Sequence, residues 1–244
     1  MNLNTMKKWN YKTAWQFFKQ TELQQCLEYI NSLGIRKETI DLRKDYSKAR
    51  EKIMKEIDSN TLVVIDGGSV NGKSTLAKRI ANLTDSLIID IDLLCVQELK
   101  QKLKNVKNEK EYKYIINNID KIMDDYLLNN LEREVYEQSK KGKSVILVGS
   151  FINLISRAIV VRTLGKYFNR IISLVCCENT FQQVEKLIKK REVEVGGMAQ
   201  YIKQKAYEEY VGMLRIINMK NGIFLGLGMD SSFIVNTKVS DTFV

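Results

Sequence analysis

The chain has 244 residues, of which 44% are hydrophobic and 28% are charged, and its formal net charge is +10. This size and composition are typical of a soluble globular protein with one α/β domain and an appendage. The sequence has no histidine and no C-x-x-C pair among its four cysteines, which argues against a zinc site and a His-based catalytic triad.

Neither the hydropathy nor the first residues indicate a membrane protein. No apolar run approaches bilayer length, and the N-terminal sequence lacks the apolar core of a signal peptide. We therefore expect a cytoplasmic protein with reduced cysteines and no membrane partner. The positive charge permits nucleic-acid binding, but the lysines are scattered rather than clustered, as on a solvated surface. The oligomeric state stays open, with a homodimer as one alternative.

Residues 1–60 are predicted to form a helical N-terminal extension. Apolar residues recur at helical spacing up to Gly34, which marks a C-terminal stop, and a second helix is predicted over residues 38–57. The apolar stripe of this second helix consists of Leu42, Tyr46, Ala49, Ile53 and Ile57. We expect a helical hairpin packed on the main domain, and a partner-binding module is the alternative.

The most informative stretch follows at residues 61–80. Residues 62–65 form an uncharged, mostly β-branched run that predicts a buried parallel strand. Residues 67–74 then match G-x-x-x-x-G-K-[ST] at every fixed position, and apolar residues at helical spacing follow. A strand, a glycine-rich loop and a helix in succession predict a site for a nucleoside triphosphate.

The chemistry of this loop suggests a role for each residue. Glycines let the backbone approach a phosphate closely, and the N–H groups of the loop and of the following helix attract anions. Lys73 is predicted to contact the β- and γ-phosphates, Ser74 to bind Mg²⁺ and Thr75 to contact the α-phosphate side. The predicted nucleotide-binding residues are Gly67, Gly68, Ser69, Val70, Asn71, Gly72, Lys73, Ser74 and Thr75.

Two carboxylates follow the next predicted strand, residues 87–89. On a continuing strand Asp90 and Asp92 would point to the same side, at the edge where α/β sheets bind ligands. One carboxylate would hold a Mg²⁺-bound water, and the other would orient or deprotonate an acceptor hydroxyl. In the alternative, Asp92 only caps a helix over residues 93–103 and Asp90 is solvated.

Residues 93–141 are predicted to form a helical insertion that either covers the acceptor site or simply packs on the domain. The third strand, residues 144–148, ends in Gly149 rather than in the acidic residue of a Walker B motif. Asp90 is therefore the remaining candidate for supporting the metal. On the helix predicted over residues 152–167 we interpret Arg157 and Arg162 as surface residues.

A fourth strand is predicted over residues 171–176, and a helix over residues 181–192 carries basic residues toward its end. Residues 193–200 contain glycines and are predicted to be a loop. Residues 189–200 would then form a lid that brings Lys190 and Arg191 over the transferring phosphoryl group. In the alternative these residues are a solvated basic face at a helix C-terminus. A helix over residues 201–217 and a last strand over residues 233–235 follow.

Strands and helices alternate from residue 61 onward, which requires a parallel sheet with right-handed crossovers. Residues 61–237 resemble the small P-loop kinases of the uridine kinase, nucleoside monophosphate kinase and shikimate kinase group. The stretch IDGGSVNGKSTLA is similar to the phosphate loop of uridine-kinase-like proteins, and IDIDLL resembles the Asp-x-Asp of shikimate-kinase-like members. The strand over residues 171–176 with its basic helix end resembles their strand and lid, and SSFIVNT resembles their final strand.

This resemblance implies a P-loop NTPase three-layer sandwich with a five-stranded parallel sheet in the order 2-3-1-4-5. The kinase-like domain would cover residues 61–244, preceded by the helical extension at residues 1–60. ATP with Mg²⁺ would be the donor, and a small molecule or a nucleotide the acceptor. The predicted catalytic residues are Lys73, Asp90, Asp92 and Arg191. Ser74 and Asp90 would serve the metal, and Lys190 would contact the nucleotide.

The predicted function is that of a kinase that transfers the γ-phosphate of ATP to an acceptor hydroxyl or phosphate. One alternative is a nucleotide-binding switch without kinase activity, in which residues 1–60 engage a partner. Another is a polynucleotide 5′-kinase, for which the net charge is the only support. The sequence does not identify the acceptor.

Overall fold

The structure, a computed structural model, describes residues 39–68, 70–149, 163–195, 199–218 and 229–243, together with Arg157 and Val160. The strands in this part are β1 (Ile40–Asp41), β2 (Thr61–Gly67), β3 (Leu87–Asp90), β4 (Val145–Val148), β5 (Arg170–Cys176) and β6 (Ser231–Val235). The helices are α1 (Ala49–Met54), α2 (Lys73–Thr84), α3 (Ile91–Lys104), α4 (Glu109–Asn117), α5 (Ile119–Ser139), α6 (Phe181–Val195), α7 (Ala199–Asn218) and α8 (Thr237–Asp241). Short 3-10 helices lie at Tyr46–Lys48 and Gly165–Tyr167.

The described strands form one parallel sheet in the order β1-β6-β5-β2-β4-β3. The α/β class and the parallel sheet are therefore confirmed, and the architecture is consistent with a P-loop kinase-like fold. The predicted five-stranded sheet in the order 2-3-1-4-5 is wrong, because β1 extends it beyond β6 to six strands. The five predicted strands keep their predicted neighbours.

The additional strand β1 pairs with β6 through Ile40↔Phe233 and Asp41↔Ile234, and the Leu42 N–H donates to the Ile234 carbonyl at 2.9 Å. The helix predicted over residues 38–57 is wrong in this part, since only Ala49–Met54 is α-helical. The three apolar residues Leu42, Ala49 and Ile53 are fully buried, as their helical spacing predicted. They do not belong to one helix, however, because Leu42 follows β1 and only Ala49 and Ile53 lie on α1.

The described part of the predicted extension, residues 39–60, shares a core with the sheet. Residues 1–38, with the first predicted helix, lie outside the described residues. The proposed boundary at residue 60 therefore stays a prediction.

Helices cover both faces of the sheet. Successive strand residues point to opposite faces, so Leu174 of β5 joins a core cluster with α1, α2 and α8, whereas Val175 joins one with α6 and α7. The same alternation separates Phe233 from Ile234 in β6. The central strand β2 lies between β5 and β4 and is buried along its whole length. The segment that follows β2 therefore starts from a buried strand that is paired on both sides.

The predicted helical insertion consists of three helices, α3, α4 and α5. Asn108 starts α4, because its side-chain oxygen accepts from the Glu111 N–H at 2.9 Å. The loop predicted over residues 193–200 is wrong at both ends: α6 continues to Val195, and α7 begins at Ala199. Residues 196–198, and most of the helix predicted over residues 152–167, lie outside the described residues.

Candidate functional site

The candidate site is the loop between β2 and α2, at the carboxyl edge of the sheet. Two glycines in it have positive φ, Gly67 at 144° and Gly72 at 80°. At Gly67 a side chain would overlap the carbonyl oxygen of Cys176, so only glycine fits there. Gly72 is the N-cap of α2 and, having no side chain, makes no side-chain cap hydrogen bond to the first turn of this helix. Ser69 lies outside the described residues.

Lys73 is the first residue of α2, and its side chain folds back over the loop. Its Nζ donates to the carbonyl oxygens of Gly67 at 2.9 Å and of Gly68 at 3.0 Å. Both acceptors are neutral, so the ammonium charge stays available to a bound anion. Ser74 and Thr75 follow in the first turn of α2, and both are exposed.

Ser74 and Asp90 are brought together across 16 residues of sequence: the Ser74 hydroxyl donates to Asp90 Oδ2 at 3.1 Å. The other Asp90 oxygen accepts from the Leu93 N–H at 3.2 Å, so Asp90 caps α3. The expectation that Asp90 and Asp92 share one side of a strand is wrong, because the helix begins directly at Ile91. The alternative is also wrong, since Asp90 and not Asp92 is the cap. Asp92 lies exposed in the first turn of α3.

Beneath the loop lies a buried ion pair that was not predicted. Arg157 is only 2% exposed and donates from Nη2 to Asp66 Oδ2 at 2.5 Å and from Nη1 to the Ser173 hydroxyl at 2.6 Å. The other oxygen of Asp66 accepts from the Gly67 N–H at 2.6 Å. This pair therefore fixes the first peptide of the phosphate loop.

The interpretation of Arg157 as a surface residue is wrong. Its partner Asp66 lies 91 residues away in sequence, so local helical spacing could not reveal the pairing. One indication was present: Asp66 ends a strand that is otherwise uncharged, where a carboxylate requires a buried partner. Arg162 lies outside the described residues.

A second buried carboxylate supports the loop from the side of β5 and β6. Glu178 is 2% exposed and accepts from the Thr237 N–H at 2.9 Å, at the start of α8. Thr237 in turn lies against the loop, because its Cγ2 would be 3.3 Å from a Cβ placed on Gly72. The ends of β5 and β6 thus constrain the loop next to Lys73.

Cys176, the last residue of β5, and the following Cys177 are both free, buried thiols. Burial raises the pKa of the Cys176 thiol to about 12, although the nearby Lys73 ammonium acts in the opposite direction. Burial likewise raises the pKa of Cys177 to about 11, against the effect of Arg43. Both side chains are therefore protonated near neutral pH and are not nucleophiles there.

The predicted lid residues Lys190 and Arg191 lie in the second half of α6, whose last turn has no basic residue. Lys189 and Lys190 are exposed on this helix, and the side chain of Arg191 is not among those described. The proposed contacts of Lys190 and Arg191 with a phosphoryl group remain predictions.

The described residues contain no group of three or more His, Cys, Asp or Glu side chains that could hold a metal ion. Magnesium is commonly held by one or two protein oxygens together with phosphates and water, and Ser74 with Asp90 supplies such a pair. In the same part of the chain, no helix is both long enough and apolar enough to cross a membrane.

Comparison with known proteins finds partial similarity to solved structures. No protein-family model matches the sequence, and no curated protein matches it. A candidate kinase from Chloroflexus aurantiacus J-10-fl is 13% identical, over 63% of this chain and 78% of that one, with a TM-score of 0.42. A chain of the PezAT chromosomal toxin–antitoxin system of Streptococcus pneumoniae is 12% identical, over 71% of this chain and 73% of that one, with a TM-score of 0.37.

Proposed function

We propose that this chain is an ATP- and Mg²⁺-dependent phosphotransferase. The observation that carries the proposal is the arrangement around one loop. The Lys73 ammonium lies against the carbonyls of Gly67 and Gly68, and the Ser74 hydroxyl lies 3.1 Å from the Asp90 carboxylate. A cation and a paired hydroxyl and carboxylate are the groups that phosphoryl transfer requires around a polyphosphate.

The surroundings of the loop fit a nucleotide. The N-cap Gly72 places no capping side chain at the start of α2, and a helix N-terminus favours negative charge. The absence of a side chain at Gly67 and the positive φ at Gly72 let the backbone wrap closely around a phosphate. Within the described part of the chain, no carboxylate forms an ion pair with Lys73 that a phosphate would have to displace.

Each residue then has a defined role. Lys73 would move from the loop carbonyls to the β- and γ-phosphate oxygens, and Ser74 with Asp90 would hold Mg²⁺ directly or through water. When bound, ATP with Mg²⁺ supplies the phosphoryl group and screens its charge. Asp92, exposed at the start of α3, would orient the acceptor hydroxyl. Lys190 and Arg191 on α6 would close over the phosphoryl group and exclude water.

The acceptor class follows from the resemblance rather than from the site. The small P-loop kinases that residues 61–237 resemble act on nucleosides, nucleotides and small hydroxyl compounds. A panel of such acceptors, together with oligonucleotides bearing a free 5′-hydroxyl, should therefore be screened with labelled ATP. Phosphate transfer to an oligonucleotide that weakens strongly with salt would favour the polynucleotide kinase alternative.

Lys73→Ala tests the proposal, with Lys78→Ala as the matched control. Lys78 is an exposed lysine on the same helix. Lys73→Ala should abolish ATP binding in calorimetric titrations and transfer in the acceptor screen, whereas Lys78→Ala should behave as the unmodified protein. Equal affinities in the two variants would contradict nucleotide binding at this loop.

One observation favours the switch alternative: β4 ends at Val148 and is followed by Gly149, where a Walker B motif would have a carboxylate. Among the described residues, Asp90 is the carboxylate that is hydrogen-bonded to Ser74. A protein that binds ATP through Lys73 but phosphorylates no acceptor, and that retains one partner only with ATP present, would be such a switch.

A further inference from the structure

Val70, in the middle of the phosphate loop, has an unfavourable backbone conformation. Its φ is +60°, in the left-handed region. Among the described residues the other non-glycine positions with positive φ are Asn60 and Asp85, two residue types that tolerate this conformation. A β-branched side chain does not, so something must hold Val70 in place.

Packing of the Val70 side chain stabilises this backbone conformation. The side chain is partly buried and packs against an apolar cluster that includes Val184 and Ile188 of α6 and Tyr210 and Met213 of α7. The helix α7 also reaches Gly68, two residues before Val70, because Glu209 Oε2 would be 3.6 Å from a Cβ placed on Gly68. The pair of helices α6 and α7 therefore contacts the loop on the side of its second and fourth residues.

We propose that Val70 is a positioning residue, whose packing on α6 and α7 holds the phosphate loop in its anion-binding conformation. The inference rests on the proposed function, since it concerns how the same loop binds a nucleotide. A loop gathers its N–H groups around an anion by alternating right- and left-handed residues, and Val70 occupies a left-handed position. If Val70 relaxed to negative φ, the N–H groups of the loop would no longer point toward one anion.

This arrangement links two parts of the site. The helix α6 that supports Val70 also carries the exposed Lys189 and Lys190 in its second half. A displacement of α6 and α7 would therefore move the basic segment and release the loop together. Nucleotide affinity should consequently depend on how tightly Val70 packs, even though its side chain contacts no phosphate in this proposal.

Three substitutions separate strain from packing. Val70→Ala loses the methyl groups that pack but keeps a Cβ in the left-handed region. For two half-buried methyl groups this predicts about fourfold weaker ATP binding. Val70→Gly loses the same packing but also relieves the strain, which should restore about fivefold relative to alanine. Val70→Ile keeps both features and should bind within about twofold of the unmodified protein.

The test is a series of ATP·Mg²⁺ titrations by calorimetry on the full chain, with the melting temperature of each variant measured without nucleotide. The expected affinities of the Val, Ile and Gly proteins lie within about twofold of one another, and the Ala variant is the weakest, about fourfold below Val. A residue that serves only as packing would give affinities and melting temperatures that both fall steadily from Val to Ala to Gly. That steady order, or equal affinities throughout, would overturn the inference.

Lys73→Ala in the same titrations separates the two proposals. If it abolishes binding while the Val70 series is steady or flat, the inference about Val70 fails and the nucleotide site stands. If Lys73→Ala leaves ATP affinity unchanged, the proposed function fails, and the inference about Val70 fails with it.

Discussion

Removing the guanidinium of Arg157 tests how the loop is held, because Asp66 is fully buried and pairs with it. Arg157→Met keeps most of the side-chain length but removes the hydrogen bonds to Asp66 and Ser173. Breaking a buried ion pair from one side leaves an uncompensated charge and costs about 3–5 kcal/mol. Since the free energy of unfolding of a domain is about 5–15 kcal/mol, this loss is a large share of the total.

The assay is denaturant unfolding of the full chain, with Arg170→Met as the control. Arg170 lies on β5 and pairs with Glu56 at 3.5 Å, but about a third of each side chain is exposed, so its removal should cost less than about 1 kcal/mol. The melting temperature should fall by about 10 °C for Arg157→Met and by only about 2 °C for Arg170→Met.

A double-mutant cycle completes the test. Asp66→Asn with Arg157→Met removes both charges, so the pair of substitutions should be less destabilising than the sum of the two single ones by more than about 1 kcal/mol. Additive losses, or an Arg157→Met variant as stable as Arg170→Met, would refute the reasoning. In that case the first peptide of the loop is held by the strand alone.

Three further outcomes concern the metal pair and the buried thiols. Asp90→Ala should lower the free energy of unfolding by about 1 kcal/mol through loss of the α3 cap, and it should raise the Mg²⁺ concentration needed for ATP binding. Asp92→Ala should reduce phosphate transfer alone. Thermal melts and Mg²⁺ titrations separate the two variants. Ser74→Ala should weaken ATP binding with Mg²⁺ present but not with chelator, and equal losses in both titrations would argue against a metal role. The folded-state pKa values of Cys176 and Cys177, about 12 and about 11, lie above the ordinary value of 9.0, so the folded state binds more protons above pH 9. The free energy of unfolding should therefore decline as pH rises from about 9 toward 12, whereas below pH 9 these thiols should not make it depend on pH. Cys176→Ala should flatten the decline.

The features predicted correctly from the sequence are those that local chemistry determines. The loop lies between a strand and a helix, as its glycines, Lys73 and Ser74 indicated, because a short spacing specifies both the turn and the helix start. The strands β2 to β6 were recognisable since each is a short apolar run. Their parallel arrangement followed from the helices between them.

The features missed depend on partners distant in sequence. Strand β1 has two residues, both exposed, and exists only through its pairing with β6, so no apolar run marked it. Arg157 is buried with Asp66 and Ser173 among its partners, and both are distant from it in sequence. At Asp90 two local rules competed. Strand continuation would have placed Asp92 beside it, and helix capping, which occurs, separates them.

The burial of Leu42 tests which part of the predicted extension belongs to the domain. Leu42 is fully buried in the core cluster with α2 and α8, whereas its neighbour Ile40 is 46% exposed. Leu42→Ala should therefore cost about 2–4 kcal/mol in denaturant unfolding, and Ile40→Ala less than about 1 kcal/mol. Similar losses from the two substitutions would mean that residues 39–60 pack loosely.

The result bears on function as well as on stability. In the switch alternative, residues 1–60 engage a partner, but a segment whose apolar side chains are committed to the core cannot also present them to another protein. If Leu42→Ala is strongly destabilising while Ile40→Ala is not, a partner contact by this extension cannot use Leu42, and it must come from residues before 39 or from exposed side chains such as Ile40 and Tyr46. Phosphate transfer by the Ile40→Ala variant should then be unaltered, since Ile40 lies at the outer edge of the sheet, three strands from β2.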